Sequence, residues 1–456
     1  MRVLALGRSL ESSPTAALTR DHARSFWLAS TLAAAAIALI PLWYHVVLVE
    51  SGVQGIIAVF SEVGVYPSDG CLAVLGLMAI AHPVALDSRS RWLGVGLSLL
   101  AAVALLSARQ SRDQVLTSGL SGQLAILALA WFGSRSLQVS RTVLVAALVA
   151  SAVVQSALAA GQFLFQQPLV APELQLPWLP GDVSEGGTPV ILNSAGERLL
   201  RGFGTFPHPN VLGGYLAMAL VCLPVLGVRW PRRAALWWLL GAAISIGLLA
   251  SFSRAGWLAA VVGLSVSCWP AVRQRHARWW IAPIAAVAVL SAIALSPIAP
   301  TIAERLSPLG ADTNALERGS IENRLALDRS ALVEIGDHLP LGVGGANYGL
   351  VAVAEGYQEG WGEPVPNLVL LITAELGLPG VLALLLVVVG CVRLLAVGRT
   401  RDLPVAAAFF ALIVLAMLDH YLWTMPLGRI IAWIPFALIA ARTESEAGGT
   451  GLASAL

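Results

Sequence analysis

Residues 235–272 read ALWWLLGAAISIGLLASFSRAGWLAAVVGLSVSCWPAV. Two apolar runs, each close to the length that crosses a bilayer, are parted only by Ser251-Phe-Ser-Arg-Ala-Gly256. Arginines flank the pair on both sides: Arg229, Arg232 and Arg233 before it, and Arg273, Arg275 and Arg278 after it. Two positive flanks belong on the cytoplasmic face, so the stretch is expected to be a helical hairpin with Arg254 at its outer turn. The whole chain is written in the same way. Of its 456 residues 57% are hydrophobic and 12% charged, and the mean hydropathy is +0.78. Soluble domains carry about 25% charged residues, so a water-soluble globular domain is excluded. Long Leu-, Ala-, Val- and Gly-rich runs, rather than short alternating segments, also exclude an outer-membrane barrel. The expected fold is an all-α integral membrane protein.

Working outward from the hairpin, apolar runs centre on 26–49, 69–86, 92–107, 114–133, 142–164, 210–227, 235–251, 256–272, 279–297, 367–392, 403–419 and 426–441. About twelve spanning helices are expected. Arg89 and Arg91, Arg135 and Arg141, and Arg393, Arg399 and Arg401 fall in the same alternate connections as the arginines around the hairpin. Those connections, and the start of a retained first span, are expected in the cytoplasm. Two of the outer connections are long, 165–209 and 298–366, and loops of that length usually carry function. The expected organisation is an amino-terminal region of helices and first outer loop (1–200), a functional region (201–441) containing the large loop 298–366, and a short cytoplasmic tail (442–456).

All 28 basic residues are Arg, and 26 acidic residues leave a net charge of +2, which gives no support to nucleic-acid binding. Cys71, Cys222, Cys268 and Cys391 stand singly in or beside apolar runs and read as small buried hydrophobes. In the large loop, Ser320 is a candidate N-cap, with Ile321, Leu325, Leu332 and Ile335 on one helical stripe and Arg324 and Asp328 one turn apart on another face. The stretch Leu341-Gly-Val-Gly-Gly-Ala-Asn-Tyr-Gly349 follows no strand and holds no P-loop Lys, so it reads as a close-packed turn. Two outer loops end in Pro-rich turns, Phe206-Pro-His-Pro-Asn210 and Glu363-Pro-Val-Pro-Asn367, in which Asn210 and Asn367 are expected to cap apolar helices. Both positive helix ends face the side that holds Arg201, Arg254 and Arg324, a combination suited to an anion. Without an Asp pair or Asp-x-Asp in an outer loop, a divalent metal and other cofactors are not expected.

Arg201-Gly-Phe-Gly-Thr-Phe-Pro-His-Pro-Asn210 ahead of a span, Ser253-Arg-Ala-Gly256, Asn323-Arg324, and His338-Leu-Pro-Leu-Gly-Val-Gly344 resemble the O-antigen ligase and O-antigen polymerase family. Pro364-Val-Pro-Asn367, then Ala374-Glu-Leu-Gly377 and Gly380, continue the resemblance, which covers about 200–425. It implies a metal-independent, membrane-embedded glycosyltransferase of the GT-C type in the bacterial plasma membrane, acting on the periplasmic side. The donor would be a glycan on undecaprenyl diphosphate, and the acceptor a hydroxyl of a lipid, a glycan or a protein. Carried over residue by residue, Arg201, Arg254 and Arg324 would hold the diphosphate. Ligases carry His before the Asn of the second capping turn, where it is proposed to deprotonate the acceptor. Pro366 stands there instead. Glu363, in the turn where relatives place that His, is the first candidate to replace it and His420 the second, with Tyr421 beside His420 and His208 open to either a turn-packing or a site role. His338 reads as a helix-end group, and Glu375, inside a span, is expected to have a partner. Two other functions fit less of the pattern: a transporter or flippase of lipid-linked glycan, which would place polar groups near the midplane, and a family member that binds carrier lipid without catalysis.

Overall fold

A computed structural model describes residues 14–50, 62–83, 86–169, 189–192, 197–273, 315–358, 362–396 and 403–441. The helices in chain order are α1 (Pro14–Ala38), α2 (Pro67–Ala81), α3 (Ser90–Leu106), α4 (Gln114–Ser136), α5 (Arg141–Phe165), α6 (Pro209–Cys222), α7 (Pro224–Arg229), α8 (Ala234–Ala250), α9 (Arg254–Arg273), α10 (Ala315–His338), α11 (Tyr348–Ala354), α12 (Leu368–Leu395), α13 (Leu403–Leu418), α14 (Tyr421–Thr424) and α15 (Pro426–Ala440). Among the described residues, six helical stretches are long and apolar enough to cross a membrane, and five further apolar helices are shorter. Together they account for eleven of the twelve apolar runs. The twelfth, 279–297, lies outside the described residues.

The all-α expectation needs amending in two places. The run 26–49 does not stay helical: α1 stops at Ala38, Pro41 follows, and β-branched Val46, Val47 and Val49 form β1 (Val46–Glu50), paired antiparallel with β2 (Glu62–Val65). A proline that ends a helix and a valine-rich tract that prefers extended backbone outweigh hydropathy here. In the first long loop a second ribbon joins β3 (Val190–Leu192) to β4 (Arg198–Leu200).

Local chemistry sets the helix ends that face the site. Asp113 accepts from the backbone N–H groups of Val115 and Leu116 at 2.8 and 3.1 Å, and Asn367 caps α12 as expected, accepting from Val369 and Leu370. The expectation fails at the other turn. His208 is the N-cap of α6, Pro209 its first residue, and Asn210 sits one place inside, because proline at N1 fixes the helical start one residue before it. Ser320 is likewise inside α10 rather than capping it.

Close packing then gathers these ends. A Cβ on Gly256 would lie 2.8 Å from the Gly213 carbonyl carbon, and one on Gly213 would lie 2.4 Å from Ser253 Cβ. Hence α6 and α9 touch backbone to backbone, as small residues permit in membrane bundles, and Ser253-Arg254 is carried up to the start of α6. In α12, Gly377 (φ 61°, ψ −156°) breaks the helix. The glycine-rich turn fills the break: Val343 N donates to Ala374 O at 2.9 Å, Gly344 N to Glu375 O at 2.8 Å, and Leu378 N to Pro340 O at 2.8 Å. The expected close-packed turn is therefore the piece that satisfies carbonyls a broken helix leaves open.

α10 is rotated relative to its predicted stripe. Leu327, Ala331 and Glu334 are buried, whereas Leu325 and Leu332 are 52% and 57% exposed. Polar anchors set the rotation: Asn323 donates to Glu363 Oε2 at 2.8 Å, Arg324 to Leu418 O at 2.9 Å, and Ser330 Oγ to Tyr357 O at 3.0 Å.

Candidate functional site

Arg201 is held by a pinned strip of backbone. Gln162 Oε1 accepts from Phe203 N and Gly204 N at 2.9 and 2.7 Å, and Gln155 Oε1 accepts from Thr205 N at 2.9 Å. Both glutamines lie on α5, seven residues apart and so on one face. The Arg201 N–H donates to Pro189 O, and its buried guanidinium donates to Ser251 O at 2.9 Å, to Phe252 O at 3.3 Å and to Asn210 Oδ1 at 2.8 Å. Phe252, at the α8–α9 turn, has φ 49°. A left-handed conformation in a bulky residue costs about 1–3 kcal/mol, and here it turns the Phe252 carbonyl onto Arg201.

Asn210 passes the contact on, its Nδ2 donating to Asp419 Oδ2 at 2.9 Å. Asp419 follows α13, and His420 comes next, its Nδ1 2.9 Å from Thr424 Oγ1. Arg324 reaches the same corner through the Leu418 carbonyl. No Arg324–Asp328 pair forms to compete with this: Asp328 Oδ1 is buried without a hydrogen-bond partner, and burial raises its pKa above the ordinary carboxylate value.

Electrostatics tie the cluster together. Burial, then the Arg201 charge, press the His208 pKa well below its ordinary value, with Asp419, His420 and Arg324 as further charged neighbours. The imidazole is neutral at physiological pH, with Nδ1 accepting from Asn210 N at 3.1 Å. His420 is also shifted down, mainly by burial, with Asp419, Arg324 and Glu363 near enough to act on it. Arg254, the first residue of α9, is half-buried and within range of the Arg324 charge. The structure thus brings Arg201, Arg254, Arg324, His208, Asn210, His420 and Glu363 to one end of the helices. Glu363 is exposed and held by Asn323. Two candidates are packing groups: Asn367 is occupied as a cap, and Tyr421 is 1% exposed, its hydroxyl without a hydrogen-bond partner and pressed on Gly214.

Sequence reading missed a second polar layer beneath. Arg429, from the start of α15, donates to Gln123 Oε1 and to the Trp423 carbonyl, and Gln123 Nε2 donates to Asp69 Oδ1 at 2.9 Å. Glu375 does have the partners expected for it: Oε2 accepts from Trp423 Nε1 at 2.7 Å and Ala346 N at 2.8 Å. A cleft lined by Tyr348, Pro364, Glu375, Trp423, Thr424 and Arg429 lies against this layer. An arginine four residues into an apolar run was the available signal.

Several apolar helices, with a cluster of arginine and neutral histidine side chains at their ends, mark a multi-pass membrane protein. Residues 239–385 match the family model described as O-antigen ligase, a match over about a third of the chain that supports an O-antigen ligase/polymerase family assignment. The match supports glycan transfer of the O-antigen ligase type. It takes in Arg254, Arg324, Glu363, Asn367 and Glu375, while Arg201, Asn210 and His420 lie outside it. No curated protein matches the chain.

Proposed function

We propose that this chain transfers a glycan from undecaprenyl diphosphate to a hydroxyl acceptor at the periplasmic face of the bacterial plasma membrane, as a GT-C type enzyme without metal. The observation that carries the reading is the convergence of Arg201 and Arg324, through Asn210, Asp419 and the Leu418 carbonyl, on the corner that holds His420. In this reading residues 201–441 form the catalytic region. The acceptor oxygen attacks the anomeric carbon, the bond from that carbon to the diphosphate oxygen breaks, and undecaprenyl diphosphate leaves as an anion. Arg201, Arg254 and Arg324 stabilise the charge that develops on it, the largest single contribution in reactions of this type.

The acceptor proton goes to His420. Burial favours its neutral form, which is the form that accepts a proton; Thr424 Oγ1 lies 2.9 Å from its Nδ1, and the Asp419 charge acts on it. Glu363 is the second candidate, closer in sequence to the Pro366 position but exposed and engaged by Asn323. His420→Ala, Glu363→Gln and Pro366→His, assayed for transfer from a lipid-linked donor, separate them. A loss of roughly 10²-fold or more with His420→Ala alone supports His420. A loss with Glu363→Gln that Pro366→His restores assigns the role to the capping turn.

A transporter reading draws on a different feature, the buried Asp69, Gln123 and Arg429 chain. Carrier movement across sealed vesicles without a new glycosidic bond is the outcome that favours it.

A further inference from the structure

Glu334 is fully buried on α10, and neither carboxylate oxygen has a hydrogen-bond partner. It lies on the inward stripe with Leu327 and Ala331, facing Glu375 of α12, Tyr348 of α11 and Glu355 just beyond. On its own helix, His338 pairs with Glu355 at 3.4 Å and Asp328 lies near Tyr348. Two facing carboxyl groups in a water-poor contact cannot both ionise cheaply. Glu375 has two N–H donors on Oε2, whereas Glu334 has none, so the proton belongs on Glu334. A neutral acid can pack beside Leu327 and Ala331. A carboxylate with both oxygens unsatisfied cannot stay there without large cost.

We infer that Glu334 is a positioning residue whose protonated carboxyl docks α10 on α12 and thereby holds Arg324 at the site. Ten residues of helix, roughly 15 Å, separate the two, and α10 carries both as one rod. Arg324 reaches Leu418 O and Asn323 reaches Glu363 from the same end. Burial first, then Glu375 and Glu355, raise the Glu334 pKa to about 8. Tyr348, raised to about 12, does not ionise in that range. Raising the pH through about 8 therefore charges Glu334, loosens α10 and withdraws Arg324. Nothing in this docking depends on the reaction itself, although its kinetic consequence rests on the transfer reading above.

The test has two arms on the full chain in proteoliposomes. The first follows hydrogen exchange of 324–334, corrected for intrinsic rates, between pH 6 and 9.5. Wild type is expected to lose protection above about pH 8, and Glu334→Gln, isosteric and neutral, to keep it. Glu334→Met serves if the Gln variant does not fold. The second follows the KM for a lipid-linked donor, expected to rise in wild type by roughly tenfold per pH unit above about 8, as the protonated fraction falls, and to stay level in Glu334→Gln with kcat at pH 6.5 unchanged. An alkaline loss of protection that persists in Glu334→Gln overturns the inference. So does a loss abolished by His338→Gln, which assigns the effect to the His338–Glu355 pair. Exchange behaviour as expected with no detectable transfer leaves the docking standing and counts against the transfer reading instead.

Discussion

Asn210 and Asp419, 209 residues apart in the chain, meet through a 2.9 Å hydrogen bond from the Asn210 amide nitrogen to an Asp419 carboxylate oxygen. The oxygen of the same amide accepts from Arg201 at 2.8 Å. With a cation on one side and a carboxylate on the other, only this orientation of the amide satisfies both. A neutral side chain thus stands between Arg201 and Asp419, so the carboxylate orients the guanidinium at one remove.

Asn210→Ala leaves partly buried donors of Arg201 and the Asp419 carboxylate each short of a partner. The expected cost is about 1–3 kcal/mol in stability and roughly 10²-fold in turnover. Asn210→Asp should lower donor affinity as well, since a second carboxylate beside Arg201 competes with the diphosphate. A double-mutant cycle of Asn210→Ala with Asp419→Asn should give a coupling of about 0.5–3 kcal/mol, and strict additivity would remove the relay.

Arg201→Ala, Arg254→Ala and Arg324→Ala should each lower turnover by roughly 10²-fold or more with expression near normal, because each removes a contact that strengthens as the leaving group gains charge. Asp328→Ala is the control. Arg324 bonds to the Leu418 carbonyl and not to Asp328, so activity in that variant should stay within about twofold of wild type. A fully active Arg324→Ala would reduce α10 to a lid.

Much of this arrangement was legible before the structure. The hairpin with Arg254 at its turn followed from arginines on both flanks, and the grouping of Arg201, Arg254 and Arg324 followed from counting crossings. What local pattern does not carry is the partner across 209 residues, or the rotation of a helix that polar anchors decide. The stripe of Leu325 and Leu332 is a sound hydrophobic period, yet Asn323, Arg324 and Ser330 turn α10 so that Glu334 faces inward in its place. Asn210 reads as a cap by residue type, but Pro209 shifts the helix start and frees its side chain for Arg201. Gln155 and Gln162, on one face of an otherwise apolar run, were a visible signal of a pinned loop.

Stability should depend on pH through Glu334. Its pKa is raised in the folded chain from 4.5 to about 8, so between those values the native state holds a proton that the unfolded chain has released. The contribution is complete below about pH 4.5 and is lost as pH rises through about 8. Thermal unfolding should show Glu334→Gln gaining on wild type from pH 5 to pH 9. A constant difference across that range would mean Glu334 is ionised in both states.

The orientation of the site is open to direct labelling. An impermeant thiol reagent added outside intact cells should modify Arg198→Cys, in an exposed part of the first long loop, and leave Arg232→Cys untouched until the membrane is permeabilised, as the arginine distribution requires. Labelling of Arg232→Cys from outside would invert the topology and move the arginine cluster to the cytoplasmic face.

The most direct measurement uses the purified chain in proteoliposomes with a radiolabelled glycan on undecaprenyl diphosphate, acceptor fractions from the source cells, and EDTA throughout. Label is expected to appear on a lipid, glycan or protein acceptor with release of unlabelled undecaprenyl diphosphate, and to remain on the carrier with Arg254→Ala. Label that stays on the carrier with the wild-type chain, or that moves only when magnesium or manganese replaces EDTA, would contradict arginine-driven glycan transfer.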